Sequence, residues 1–192
     1  MKPRFMLLAL LSLAATAHAE TYTIDGRHTF PLFEVDHYGF TTQHGRFTAT
    51  RGKLELDAGH RRGSVDVTID AASIDMGAEE WNKHMRGERF FNVEKFPNLR
   101  FTATNFQIEP DKPVRIEGEL TMLGVTRPLT LTVTRFKCAK HPLLPRELCG
   151  ANLETSLRRS EFGMAYGVPG IGDDVRIVIP VEAIKDAAEA GK

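Results

Sequence analysis

Residues 81–126 read WNKHMRGERFFNVEKFPNLRFTATNFQIEPDKPVRIEGELTMLGVT and contain two hydrophobic periodicities. At the start, Trp81 and Met85 lie four residues apart, which places them on one face of a short helix. From Arg100 onward apolar and polar residues alternate, and this period of two is typical of β-strands with one buried face. The stretch therefore predicts a short helical insert that leads into antiparallel strands.

Strand-like runs separated by turn residues recur along the rest of the chain. The predicted strands are 21–24, 29–38, 45–57, 63–69, 100–108, 114–123, 129–137, 150–157 and 175–184. Because helices do not alternate with these runs, the pattern indicates an all-β sandwich or barrel, and periodicity alone does not separate the two. The chain has 12 Phe, 3 Tyr and 1 Trp. A small barrel uses such side chains either to fill its interior or to surround one small apolar ligand.

The alternation predicts three faces that point inward. They are Phe33, Val35 and His37; Phe47, Ala49 and Arg51; and Ile116, Gly118, Leu120 and Met122. Small residues such as Ala49 and Gly118 would leave room between bulky neighbours. Alternating aromatic residues more commonly fill a core, so the residues alone favour a packed interior.

A series of motifs, in this order, is similar to the YceI-like family. The motifs are YTID at 22–25 with Phe33, Val35 and His37; GRF at 45–47; HM at 84–85; FFN at 90–92; KFP at 95–97 with Phe101; GELTMLGVTRP at 118–128; and RSEFG at 159–163. In the last motif Glu161 stands where the family has Asp. The resemblance covers about residues 21–184 and depends on the order of the motifs, because each one alone is weak.

The resemblance implies an eight-stranded antiparallel lipocalin-like barrel with a short helical insert, located in the periplasm. It also implies a cavity that binds an isoprenoid lipid, either a polyprenyl diphosphate or an isoprenoid quinone, with no other cofactor. The expected cavity residues are Phe33, Val35, His37, Phe47, Trp81, Phe91, Phe101, Leu120 and Met122. His84 and Arg86 are the expected contacts for a head group. Members of the family often form pairs, so a homodimer is a further implication.

The first nineteen residues have the pattern of a cleaved export signal. Lys2 and Arg4 precede an apolar stretch, and Ala17-His18-Ala19 is a small-x-small cleavage site. The apolar stretch is too short to span a bilayer as a helix, so we expect no stable membrane insertion. Residues 20–192 are then predicted to form a single barrel domain.

The balance of charges argues against a nucleic-acid partner. The whole chain has 25 basic and 25 acidic residues, and loss of Lys2 and Arg4 with the signal leaves 23 against 25. Binding to phosphate backbones needs clustered Lys and Arg, whereas the local clusters here are only pairs such as Arg61-Arg62.

Two cysteines, Cys138 and Cys149, are expected to form a disulfide. Export supplies an oxidising compartment, and antiparallel strands on either side of the intervening loop would bring the sulfurs together. The alternative is a metal site that uses Cys138, His141 and Cys149. A fourth ligand is not evident in the sequence, so no metal is predicted.

The sequence contains none of the common catalytic strings, such as HExxH or GxSxG. The preferred interpretation is a non-enzymatic lipid carrier with a role in stress protection or as an accessory to respiration. Two alternatives stay open: an enzyme that acts on an isoprenoid-like substrate, and a partner-binding barrel with a filled core.

Overall fold

The computed structural model describes residues 19–57, 59–108 and 114–187. The strands within these residues are β1 (Glu20–Ile24), β2 (Leu32–His37), β3 (Thr41–Phe47), β4 (Thr50–Leu56), β5 (Arg62–Asp70), β6 (Ile74–Asp75), β7 (Asn98–Gln107), β8 (Val114–Met122), β9 (Val125–Lys140), β10 (Glu147–Arg158) and β11 (Ile171–Lys185). The α-helix α1 spans Glu79–Arg86, and 3-10 helices span Ala71–Ser73 and Arg159–Phe162. Residues 1–18 of the predicted export signal lie outside the described residues.

Eight strands close into a barrel because β11 pairs with β1 as well as with β10. The ring order is β1, β4, β5, β7, β8, β9, β10 and β11, and every neighbouring pair is antiparallel. With α1 inserted between β6 and β7, this confirms the predicted eight-stranded antiparallel lipocalin-like barrel with a short helical insert.

The two ends of the barrel are built differently. Near Lys185, β11 pairs with β1, whereas from Ile171 to Val178 it pairs with β2. The nearest ends of those two regions, Val178 and Ala183, are roughly 17 Å apart along the strand at about 3.3 Å per residue. We call the end formed by residues 37–40, α1 and residues 163–170 the mouth, and the end around Tyr22 and Lys185 the base. The backbone N–H of Tyr38 donates to the carbonyl of Gly170 at 2.6 Å, which joins two segments of the mouth.

The wall breaks between β3 and β4, and the inward face changes there. Phe47 and Thr50 are buried, whereas Ala49 and Arg51 are exposed. The N–H of Ala49 leaves the sheet and donates to Ser73 Oγ at 3.1 Å. The prediction of one strand over 45–57, with Phe47, Ala49 and Arg51 on one inward face, is therefore wrong. Two residues outside the ladder shift the side-chain alternation by one position.

Several strand ends also differ from the prediction. β3 begins at Thr41 rather than at 45, because residues 41–44 pair with β2 although all four are exposed and show no buried alternation. β6 has two residues, too few for a pattern. β8 and β9 run up to a two-residue turn in which Leu123 and Gly124 have φ of 53° and 76°. Two central residues with positive φ fit a tight hairpin, so β9 begins at Val125 rather than at 129.

The small residues do not create space as the sequence suggested. Ala49 is exposed, and a Cβ at Gly118 would collide with the ring of Phe101 and the carbonyl of Thr102. Gly118 thus allows close packing of β7 against β8. Among the described residues, none of the helices has the length and hydrophobicity that a membrane-spanning helix requires.

Candidate functional site: an apolar cavity inside the barrel

The barrel interior contains a cavity of about 710 Å³ that extends to the mouth. Its wall is formed mainly by inward-facing aliphatic and aromatic side chains from β1, β2, β4, β5 and β7 to β11. This volume lies within the range of pockets that bind small molecules. The interior is therefore not the packed core that the residues alone favoured.

All nine residues that the sequence analysis assigned to a cavity lie on its wall. They are Phe33, Val35, His37, Phe47, Trp81, Phe91, Phe101, Leu120 and Met122. Phe33 and Phe47 contact each other with ring centroids 6.1 Å apart, and the ring of Phe91 meets Phe47 edge-on at 5.2 Å. Their placement is a property of the structure, while contact of these residues with a ligand stays a prediction.

Helix α1 covers part of the mouth. It begins with Glu79 and Glu80 and has basic residues in its last turn, an arrangement that favours both helix ends electrostatically. Trp81, His84 and Met85 are spaced at i, i+3 and i+4, so they share one face, and all three line the cavity. Because no residue of α1 is fully buried, the helix lies over the opening rather than inside the barrel.

A group of aromatic rings surrounds the opening. The imidazole of His84 packs edge-on against Trp81 at 6.1 Å and against Phe90 at 5.1 Å. The ring of Tyr166, from the segment after the second 3-10 helix, packs against Phe90 at 5.5 Å. Arg89 lies over the Tyr166 ring at 4.9 Å and donates to its hydroxyl at 3.1 Å. The opening therefore combines apolar rings with polar atoms.

Of the two predicted head-group residues, the structure brings His84 but not Arg86 to the cavity. The guanidinium of Arg86 donates to Glu79 Oε1 at 3.0 Å and to the carbonyl of Ala72 at 3.1 Å. These contacts direct Arg86 along the outside of α1 toward the first 3-10 helix. Helical spacing explains the result, because Arg86 lies two residues beyond His84 and faces away from it.

Arg159 is a buried cation at the mouth and lines the cavity. Its guanidinium donates to the carbonyls of Met164, Tyr166, Ile171 and Gly172 at 2.7–3.0 Å. Burial lowers the pKa of Arg159 from its ordinary value. These four hydrogen bonds brace residues 164–172, which include the start of β11, against the second 3-10 helix.

Asp173 secures the same segment from outside. It accepts hydrogen bonds from the Ser160 backbone N–H at 2.8 Å and from the Ser160 hydroxyl at 2.7 Å. Partial burial alone would raise the pKa of Asp173, but the bonds from Ser160 and Arg158 hold it below its ordinary value. The carboxylate stays charged and fixes the start of β11 against the second 3-10 helix.

Sequence reasoning missed several residues of the wall. Tyr166 lines the mouth from a turn segment, where no strand or helix period identifies a facing side. Tyr38 also lines the mouth; it was predicted as the last residue of strand 29–38, but it lies in the turn after β2. Thr50 also lines the cavity, and its buried hydroxyl has no hydrogen-bond partner among the described residues. Its inward position depends on the break between β3 and β4, so the strand pattern could not locate it.

Cys138 and Cys149 form a disulfide that joins β9 to β10 near the base. The two residues lie directly opposite each other in the hairpin, with Cα atoms 4.1 Å apart. His141, the third ligand of the alternative metal site, does not join them. Its Nδ1 instead accepts the backbone N–H groups of Leu143 and Leu144, each at 3.0 Å.

Residues 22–183 match the model of the YceI-like domain family. The chain belongs to the YceI-like family. The YceI protein of Salmonella arizonae is 32% identical over 184 residues, which cover 94% of this YceI-like chain and 95% of that relative. The YceI protein of Salmonella heidelberg has the same identity and coverage.

Solved structures share the fold of this YceI-like chain. BcnA of Burkholderia cenocepacia has a TM-score of 0.71 at 20% identity, covering 83% of this chain and 98% of that one. The Campylobacter jejuni YCEI protein has a TM-score of 0.68 at 24% identity, covering 79% and 90%. A polyisoprenoid-binding domain from Saccharophagus degradans has a TM-score of 0.65 at 15% identity, covering 88% and 100%.

Proposed function

We propose that this chain is an exported, non-enzymatic carrier that holds an isoprenoid lipid inside its barrel. The observation that carries the proposal is the cavity of about 710 Å³, whose wall is largely apolar and whose opening lies beside α1. Transfer of a prenyl chain from water into such a cavity is favourable by roughly 25 cal/mol per Å² of apolar surface. The solved Saccharophagus degradans relative is described as a polyisoprenoid-binding domain, which supports this ligand class.

The arrangement at the mouth favours an uncharged head group, such as a quinone or a prenol, over a diphosphate. A diphosphate needs several cations that are free to donate charge-assisted hydrogen bonds. At this mouth the guanidinium of Arg86 is bonded to Glu79 and that of Arg159 to four backbone carbonyls, while one N–H of Arg89 donates to the Tyr166 hydroxyl. His37 and His84, which line the cavity, can serve a neutral oxygen as hydrogen-bond partners.

Export to the periplasm completes the proposal. The disulfide between Cys138 and Cys149 is consistent with an oxidising compartment, where such bonds persist. Export would place the carrier beside membranes that contain isoprenoid quinones. This location fits a role in stress protection or as an accessory to respiration. A homodimer stays a prediction from the resemblance.

Native mass spectrometry of protein purified from its own periplasm without detergent tests the proposal. We expect an adduct of isoprenoid mass, with organic extraction identifying its head group. Titration with geranylgeraniol and with geranylgeranyl diphosphate then compares two ligands that have the same tail. Protein that carries no lipid and takes up neither ligand would contradict the carrier function, and preference for the diphosphate would contradict the head-group argument alone.

A further inference from the structure

Four side chains with metal-binding atoms converge at the base, away from the mouth. They are His60, Cys138, Glu147 and Cys149, and their potential ligand atoms all lie within 4.8 Å of one another. The fold explains the convergence. Glu147 and Cys149 are two residues apart on β10 and share a face, while the strand register places Cys138 opposite Cys149.

His60 reaches this cluster from the turn between β4 and β5. Its backbone has a φ of 51°, a left-handed conformation that is uncommon for residues other than glycine. Its backbone N–H donates to the carbonyl of Asp57 at 2.8 Å, which closes the turn. The imidazole Nε2 then lies 3.2 Å from Glu147 Oε1, and the side chain is only 25% exposed.

Tyr22 orients Glu147 from inside the barrel. The Tyr22 side chain is fully buried, and its hydroxyl donates to Glu147 Oε1 at 2.5 Å. Burial, followed by the effect of Glu147, raises the pKa of Tyr22, so the hydroxyl keeps its proton. A hydrogen bond to one carboxylate oxygen leaves the other available, which is the usual arrangement behind a metal-ligating carboxylate.

The donor set changes with the oxidation state of the cysteines. In the disulfide the two sulfurs are bonded to each other and are poor ligands. After reduction the four residues supply two thiolates, one imidazole and one carboxylate, all of which zinc binds in tetrahedral sites. A tetrahedral zinc with Zn–S distances of about 2.3 Å requires sulfurs about 3.8 Å apart. Cleavage of the S–S bond allows that separation, and the donors lie within 4.8 Å already.

We propose that the dithiol form of this chain binds one zinc ion through Cys138, Cys149, His60 and Glu147. A dithiol reductant breaks the S–S bond by donating two electrons and two protons, and itself becomes a disulfide. Zinc then replaces the protons of both thiols, which are released to solvent. This site differs from the metal site that the sequence suggested as an alternative, because His60 takes the place of His141.

The disulfide form and the zinc-bound dithiol form would cross-link different parts of the base. The disulfide joins only β9 and β10. The zinc ion would join the same two strands and also the turn between β4 and β5, which carries His60. The base would thus stay closed when the disulfide is reduced. This inference does not depend on the lipid that the cavity holds.

Cobalt(II) and zinc titrations of the full-length exported chain test the proposal. The protein is reduced with dithiothreitol, desalted under argon and titrated with cobalt(II), whose absorption reports thiolate ligation in a tetrahedral site. We expect one metal ion per chain in the reduced form and none in the disulfide form. Zinc should displace the cobalt and protect both thiols from alkylation by a maleimide.

Substitutions distinguish the proposed site from binding by the thiols alone. His60→Ala and Glu147→Gln should each weaken zinc binding at least about tenfold. His141→Ala is the matched control, because His141 lies in the loop between the cysteines and binds backbone N–H groups; we expect no change. Circular dichroism verifies the fold of each variant. Absence of metal binding by the reduced wild-type chain, or equal affinity in every folded variant, would overturn the proposal.

Discussion

Replacement of Leu131 by aspartate gives a direct test of the cavity as a lipid site. Leu131 lies on β9, is 5% exposed, lines the cavity and faces Ile116 on β8. In the ligand-free barrel a carboxylate there can be hydrated through the cavity, whereas a bound prenyl chain would remove that water. Stripping water from an unpaired carboxylate costs several kcal/mol even after the protein relaxes.

The expected loss of affinity follows from two terms. Bound lipid loses the contact with a leucine side chain, which is worth up to about 1.5–3 kcal/mol when fully buried. Lipid binding also requires desolvation of the carboxylate, which is unfavourable. Even if only part of each term applies, binding weakens by at least about 3 kcal/mol, on the order of a hundredfold in Kd. Asparagine has nearly the same shape as aspartate but no charge. The lipid affinity of Leu131→Asn should therefore lie between those of the wild type and Leu131→Asp.

The chain provides its own reporter for this measurement. Trp81 is its single tryptophan and lines the mouth of the cavity while 54% exposed. Titration with geranylgeraniol should therefore change Trp81 emission as the ligand displaces solvent around the indole. Circular dichroism first establishes that each variant is folded.

Thr132→Asp is the matched control for position 131. Thr132 is the next residue on β9, points away from the cavity and faces the exposed Arg115. The same carboxylate on the outer face should leave the affinity unchanged. If folded Leu131→Asp binds geranylgeraniol as tightly as Thr132→Asp does, the lipid does not occupy this cavity and the reasoning is refuted.

Three further predictions concern the framework of the site. Tyr22→Phe removes a buried donor to the Glu147 carboxylate and should cost about 1.5–3 kcal/mol in the free energy of unfolding; an unchanged urea midpoint would contradict this. Arg159→Ala leaves four carbonyls without their donor and should cost at least about 3 kcal/mol, with faster hydrogen exchange in residues 163–170; a local amide pattern like that of the wild type would argue against bracing. The Arg27 guanidinium lowers the pKa of Asp25, so the folded state binds fewer protons at Asp25 than the unfolded state does. The charged Asp25 therefore stabilises the fold above the ordinary aspartate pKa of about 3.9, and this stabilisation is lost as the pH falls. The destabilisation by Asp25→Asn should thus shrink between about pH 5 and pH 2 in urea unfolding, and a difference that does not vary with pH would disprove the linkage.

Much of the barrel could be predicted because several of its strands alternate between inward and outward residues over most of their length. In β8, Ile116, Leu120 and Met122 face inward as their spacing indicated. The same reasoning failed between Phe47 and Thr50, where two residues leave the ladder to bond with Ser73. A break of that kind depends on a contact with a distant segment, which a local period cannot reveal.

The candidate site was only partly accessible to sequence reasoning. The inward faces and the helical spacing of Trp81 and His84 identified much of the wall. The residues of turns, such as Tyr166, were missed because no period applies to them. The position of His60 beside the disulfide was missed for another reason: it requires the turn between β4 and β5 to meet β10, and only the closed barrel brings them together.

The way in which β11 closes the barrel also constrains how the chain can fold. β11 is the last described strand, yet it completes the wall by pairing with β1 and β2, the first two. The hydroxyl of Thr29, for example, donates to the carbonyl of Glu182 across a sequence separation of 153 residues. Contacts this distant carry a large loop-closure entropy and are associated with slow folding. Until β11 docks, β1 and β10 have unpaired edges, so the nearly complete sheet is the species most exposed to aggregation and to capture by chaperones.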